Sequence, residues 1–140
     1  MQGLVAFARA IADETRFRVI HLLMERTLCV CELADILNLP QSTLSSQLRV
    51  IQQAELLACE RQGKWLFYRV DPTFRPLLRE LFSHFDISPA TDQCLAQDQS
   101  RALKRIADRD ESCCPPSSTD PSCSRSPSRS GSGVGPAPAT

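Results

Sequence analysis

The sequence has no surplus of charge of either sign: 16 lysine and arginine residues stand against 16 aspartate and glutamate residues. Bulk charge gives no reason to expect a nucleic-acid partner, so any basic surface must be local. No apolar run approaches the ~18 residues of a membrane span. The N-terminal stretch MQGLVAFARAIADETRF has no basic region ahead of an apolar run and no small-residue cleavage site. No signal peptide is expected, and the expected compartment is the cytoplasm, where thiols stay reduced. A Gly-rich phosphate loop, a nucleophile elbow, HExxH and CxxC are all missing. The usual signatures of enzymatic chemistry go with them, and no enzyme is expected. Histidine is scarce, with only His21 and His84. A zinc site on a long C-terminal helix needs several His and carboxylate ligands at helical spacing. The stretch FRPLLRELFSHFD supplies only His84, Glu80 and Asp86, so zinc sensing there is not expected.

Cysteine, by contrast, is plentiful: there are seven. In a reduced compartment these serve as ligands, redox groups or core filler rather than disulfides, and the odd number argues against a complete disulfide framework. Cys29 and Cys31 sit one residue apart in TLCVCEL, where a helix begins. Cys113 and Cys114 are adjacent, and Cys123 follows nine residues later. Cys59, between Ala58 and Glu60, is expected to pack in a strand, and Cys94 to be a surface or interface thiol. Residues two apart on an ideal helix point roughly 200° apart. Cys29 and Cys31 therefore hold one ion only if the helix begins after Cys29 or its first turn unwinds. A helix start also favours thiolate at neutral pH.

Along the chain, apolar spacing predicts a helix at LVAFARAI and another at DETRFRVIHLLMER, the latter capped by Asp13. VCELADILNL reads as a short third helix, with Leu33, Ile36 and Leu37 inward. LPQSTLSSQLRVIQQAEL reads as a fourth, with Leu44, Leu48 and Ile51 as its buried stripe. The period then switches. Leu57–Arg61 and Trp65–Val70 read as strands around a turn at Gly63. Asp71-Pro72 opens a further helix with Phe74, Leu77, Leu78, Leu81, Phe82 and Phe85 on its apolar side, and a polar helix spans roughly Thr91–Arg109.

Two short helices joined by the tight NLPQS turn and followed by a hairpin make a winged helix-turn-helix: a mostly α (α+β) fold with a two-stranded β-hairpin wing. The second helix of such a motif lies in the major groove and needs short polar side chains near its N-terminus. Gln41, Ser42, Thr43, Ser45, Ser46, Gln47 and Arg49 meet that need. Arg61 and Lys64 at the wing tip suit phosphate or minor-groove contact. Residues 1–88 are read as a DNA-binding and dimerisation domain and 89–111 as a C-terminal helix. Residues 112–140, mostly Ser, Pro, Gly and Cys, are read as a disordered tail.

Residues 4–86 resemble the ArsR/SmtB family of metal-responsive bacterial repressors, through AIADETRFRVIHLL, LPQSTLSSQLRVIQQAELL and ACERQGKWLFYRVDP in that order. The resemblance implies a homodimer whose interface is formed by the first helix and FRPLLRELFSHF. It implies binding to an imperfect operator palindrome at the protein's own promoter and release when an inducer binds. LCVCEL is similar to the family's arsenic-sensing motif, which implies trivalent arsenic or antimony held by Cys29 and Cys31 and control of arsenic-resistance genes. Soft thiolates suit such ions. Relatives with a C-terminal cysteine pair and a third cysteine make Cys113, Cys114 and Cys123 candidate ligands too, as an independent site or as an arm completing the Cys29/Cys31 site. Two departures stand out. The family often has histidine and arginine where this chain has Gln47 and nearby serines, and some arsenic sensors of this type carry a third cysteine where it has Ala34. Alternatives of the same architecture are a repressor that responds to thiol oxidation and a sensor of another soft metal ion.

Overall fold

The first two helices are set by their own end signals. In the computed structural model, which describes residues 1–63 and 65–109, α1 (Gln2–Ile11) buries Phe7 and Ala10. α2 (Glu14–Glu25) begins at Asp13, whose carboxylate accepts a hydrogen bond from Arg16 N at 3.1 Å. This cap satisfies one of the amides that a helix start leaves open. Lys64, Cys113, Cys114, Cys123 and the stretch 112–140 lie outside the described residues.

After α2 comes β1 (Leu28–Cys29), then α3 (Val30–Leu37), α4 (Gln41–Gln53), β2 (Leu57–Gln62) and β3 (Trp65–Val70). The wing is larger than the two-stranded hairpin read from the sequence. β1 adds to β3 as a third antiparallel strand, giving the order β1-β3-β2, with Leu28 opposite Tyr68 and Cys29 opposite Phe67. A two-residue strand has no period to detect, so only tertiary pairing discloses it. A short 3₁₀ turn (Pro72–Phe74), with its Asp71 carboxylate accepting from Thr73 N, leads into α5 (Arg75–His84). α6 (Gln93–Ala107) follows, capped by Asp92.

The core lies where α2, α3 and α4 meet the sheet. Ile20, Leu23, Leu33, Leu44, Leu48, Ile51, Leu56 and Tyr68 are fully buried there. The helix read as polar, α6, is nevertheless packed inward: Leu95 and Ala102 are buried. Its Asp98 is 1% exposed and accepts two hydrogen bonds from Arg18 of α2, at 2.8 and 2.7 Å. That hydrogen bond to Asp98 raises the Arg18 pKa despite the opposing effect of burial.

Outside this core an apolar face stays open. Leu4 is 70%, Val5 48% and Leu77 46% exposed. Leu4 and Leu77 line a groove between α1 and α5 together with Phe7, Ile11, Phe74 and Leu81.

Two predictions follow from this packing. Removing one partner of a buried ion pair strands the other, so Asp98→Ala is expected to lower folding stability by about 3 kcal/mol; urea denaturation reads it, and a loss under about 1 kcal/mol would show that α6 is not anchored this way. His21 lies against Phe82, with ring centroids 5.4 Å apart, and burial pushes its imidazole below the ordinary value of 6.5. As pH falls through that value the unfolded chain takes up the proton first. Stability therefore drops below pH 6.5 and levels off once the folded imidazole also protonates. The melting temperature of His21→Gln should show a smaller drop across that window.

Candidate functional site

The corner between α3 and α4 is built by two residues with opposite backbone demands. Asn38 closes α3 in the left-handed region, at φ 57° and ψ 50°, which asparagine tolerates better than most residues. Leu39 N then donates back to Ala34 O at 3.0 Å. Pro40 sets an extended entry at φ −61°, and α4 starts at Gln41. Leu44, Leu48 and Ile51 are all fully buried and fix which face of α4 looks outward. That outward face carries Gln41, Ser42, Thr43, Ser46 and Arg49 in exposed positions, with Ser45 half-buried. The Ser46 hydroxyl donates to Ser42 O one turn back, at 3.2 Å.

Gln47 has a different setting from its polar neighbours. It is half-buried, and its Oε1 accepts from Arg16 Nη1 at 2.8 Å. The same guanidinium donates to Ala10 O at 3.2 Å and to Arg9 O at 2.8 Å. Arg16 thus braces α4 against the end of α1. Gln47 lies three residues after Leu44 and four before Ile51, and that spacing places it beside the buried stripe. In the wing, Arg61 is exposed next to Gly63, whose positive φ of 63° makes the turn.

The thiol pair sits at the other end of α3. Because Cys29 belongs to β1 and is the N-cap of α3, which begins at Val30, the helix starts after Cys29. The first of the two alternatives read from the sequence therefore holds. Extended backbone at Cys29 turns its side chain toward that of Cys31, and the two sulfurs are 3.2 Å apart. Two sulfurs bonded to one soft ion at about 2.3 Å each, near a right angle, stand about 3.3 Å apart. Cys29 and Cys31 are both buried, against Phe67 and the half-buried Trp65. No group of three or more Cys, His, Asp or Glu side chains arranged for a metal ion occurs among the described residues. Ala34, on the next turn of α3, offers only a methyl group. Cys94 is a free cysteine on α6, whereas Cys29 and Cys59 are each disulfide-bonded and not to one another, since β3 runs between them; this departs from the reduced state expected for both and from a pure packing role for Cys59.

A carboxylate below the pair ties it to α6. Glu32 is fully buried, and its Oε1 accepts from Cys29 N at 3.1 Å. Arg109 donates to both Glu32 oxygens, at 2.6 and 2.8 Å, and to Thr27 O at 3.2 Å. Its guanidinium lies 5.1 Å from the centre of the Phe67 ring. Arg109 lies just past α6, and two arginines within α6 also reach α3: Arg105 pairs with Asp35 at 2.8 Å, and Arg101 donates to Ile36 O at 3.4 Å. The sequence reading missed this ladder. Its signal was there in part, since Arg101 and Arg105 are four apart on one face of α6, and Arg109 follows four residues later, just past the end of the helix.

Comparison with known proteins agrees with this architecture. Residues 13–58 match the model of the bacterial regulatory protein, arsR family. The chain is 34% identical over 110 residues to the arsenic resistance transcriptional regulator ArsR2 of Pseudomonas putida, covering 76% of this chain and 93% of that protein. It is 40% identical over 65 residues to the arsenical resistance operon repressor of Escherichia coli; that match covers 46% of this chain and spans little more than half of the repressor, 56%. In fold it is similar to a homodimeric winged helix-turn-helix DNA-binding domain from Mycobacterium bovis, with a TM-score of 0.55 at 20% identity, covering 61% of this chain and 79% of that one.

The contrast between Gln47 and Arg49 is testable. Gln47→Ala removes a part-buried hydrogen bond and is expected to lower stability by about 1 kcal/mol. Arg49→Ala, on the exposed face, should stay within about 0.5 kcal/mol of the parent. Thermal unfolding of both variants measures the difference, and equal effects would contradict the bracing role of Arg16.

Proposed function

Because this chain belongs to the ArsR family of bacterial regulatory proteins, we propose that it is a homodimeric transcriptional repressor that holds operator DNA and releases it when its cysteine thiolates bind trivalent arsenic or antimony. The observation that carries this reading is the 3.2 Å approach of two buried sulfurs at the start of α3. α3 is the first helix of the helix-turn-helix, and its far end is the corner that aims α4. The relatives named for arsenical resistance support the choice of inducer.

In this reading α4 lies in the major groove with Gln41, Ser42, Thr43 and Ser46 toward base edges, Ser45 beside them and Arg49 toward phosphate. Gln47 acts through Arg16, as a positioning residue. Arg61 and Lys64 of the wing reach the flanking backbone. The open α1–α5 face forms the dimer contact, since apolar side chains as exposed as Leu4 and Leu77 gain by being covered. No described helix is long and apolar enough to cross a membrane.

Capture of the ion need not unwind α3, because the sulfurs already converge. Its effect comes from what the ion adds at the helix start: two bonds to sulfur and a demand for a further ligand. These pull on β1 and the first turn of α3. The rigid link of Asn38 and Pro40 passes the displacement to α4. A second reading, release by thiol oxidation, draws on the same close approach of the Cys29 and Cys31 sulfurs. The metalloid reading requires Cys29 reduced.

A mobility-shift assay on the neighbouring promoter separates the two. The reduced protein should form a complex that arsenite or antimonite dissolves, and Cys29→Ser/Cys31→Ser should keep the complex while no longer responding. Dissolution by diamide alone would favour oxidation, and no complex at all would remove the repressor reading. Arg49→Ala should weaken binding about equally across operator variants and reduce the salt slope by about 1, measured by titration at several salt concentrations.

A further inference from the structure

We infer that Arg16 is the positioning residue through which dimer formation sets the reading helix: its guanidinium ties Gln47 of α4 to the last turn of α1, one of the two helices of the dimer face. The inference rests on the dimeric repressor reading above and adds how the dimer contact reaches α4.

Three observations carry it. First, the acceptors of this one guanidinium lie on two different elements. Nε donates to Ala10 O at 3.2 Å and Nη2 to Arg9 O at 2.8 Å, both at the end of α1, while Nη1 donates to Gln47 Oε1 at 2.8 Å. A guanidinium is planar and its N–H groups point in fixed directions. An acceptor that moves on one edge therefore loses its bond or turns the other edge with it. Carbonyls at a helix end are also where a cation is favoured. Second, Arg16 is anchored independently of both elements. It lies in the first turn of α2, and its own amide donates to the Asp13 carboxylate at 3.1 Å. Third, α1 depends on its surroundings. Its ten residues are too few to be stable alone in water. Phe7 fastens its inward side by stacking on Phe74, with ring centroids 5.8 Å apart. Its outward side presents Leu4 and Ala8 to the open groove. A second copy of the chain covering that groove seats α1 on both sides. The seated end of α1 then holds Arg16, and Arg16 holds Gln47. Without the second copy α1 is gripped on one side, and the brace on α4 loosens.

Binding to a duplex that carries one half of the footprint on the neighbouring promoter tests the inference. A single half-site removes the gain that comes from engaging two half-sites at once. Leu4→Asp/Leu77→Asp places charge in the dimer contact from two exposed positions and should give a monomer by sedimentation. Its half-site affinity, read by fluorescence anisotropy, should be about 10-fold weaker than that of the parent, within the usual range of coupling between sites. Gln47→Ala cuts the bridge at α4. It should weaken half-site binding by a similar factor, and adding Leu4→Asp/Leu77→Asp to it should change the affinity by less than about 2-fold. Arg16→Lys keeps the charge but not the fork, so it should behave as Gln47→Ala does. The two combined should bind no more weakly than either alone. Dilution of the parent and of Gln47→Ala through the dimer transition gives the same comparison without any substitution in the contact.

Equal losses on opening the dimer, with and without Gln47, would overturn the inference. Parent affinity in Arg16→Lys would do the same, because charge alone would then suffice. So would a monomer that binds the half-site as tightly as the dimer. A Leu4→Asp/Leu77→Asp chain that stays dimeric would remove the assigned dimer contact and this inference with it. A parent chain that leaves no footprint would instead remove the repressor reading itself.

Discussion

A single buried carboxylate holds the two ends of the functional region together. Glu32 is fully out of water, and an isolated charge in that position is unfavourable by several kcal/mol. The fold resolves this with charge-assisted hydrogen bonds from Arg109 and with the amide of Cys29. One side chain therefore caps α3, seats the end of α6 and fixes the backbone from which the Cys29 sulfur projects. A neutral residue there would cap less strongly and would leave Arg109 with no reason to fold back over the site.

The rest of the arrangement follows from that constraint and from the stiffness of α3. This helix is eight residues long, too short to be stable alone in water, so its position is set by what grips it. α6 grips it through Arg101 and Arg105, Arg109 just past α6 grips it through Glu32, and α4 grips it through the shared core. α6 is in turn fixed to α2 by the Arg18–Asp98 pair. Any displacement at the N-terminal turn of α3 thus has two outlets, toward α6 or toward α4. The tether to α2 closes the first. The corner at Asn38 and Pro40 leaves the second open, and α4 carries the residues proposed to face the groove.

Local physics was the legible part of this molecule. The Asp13 cap, the Leu44–Leu48–Ile51 stripe, the Gly63 turn and the Asp71-Pro72 start each depend on residues a few positions apart, and each is where the spacing placed it. Features that depend on distant partners were not legible. β1 exists only because Leu28 and Cys29 meet β3 some forty positions later. Glu32 looks in sequence like a favourable charge in a first turn; that it is wholly buried depends on a partner 77 residues away. Gln47 was ambiguous for a related reason. A polar residue next to a buried stripe is readable as exposed or as braced, and only the position of Arg16 decides.

The geometry of the cysteines shows why a strand precedes the helix at this point. Were both cysteines helical, their side chains would diverge by about 200°, and gathering them would require breaking the turn. Placing Cys29 in extended backbone, one residue before α3, aims its sulfur along the helix start, where that of Cys31 already is. The strand is held by pairing with β3, and β3 also supplies Phe67 and Trp65 as the apolar wall of the pair. Wing and thiol pair are therefore parts of one small sheet rather than separate modules. A disturbance at the sulfurs reaches the wing through β1 as directly as it reaches α4 through α3, so both groups of residues proposed to touch DNA lie one element away from the same two atoms.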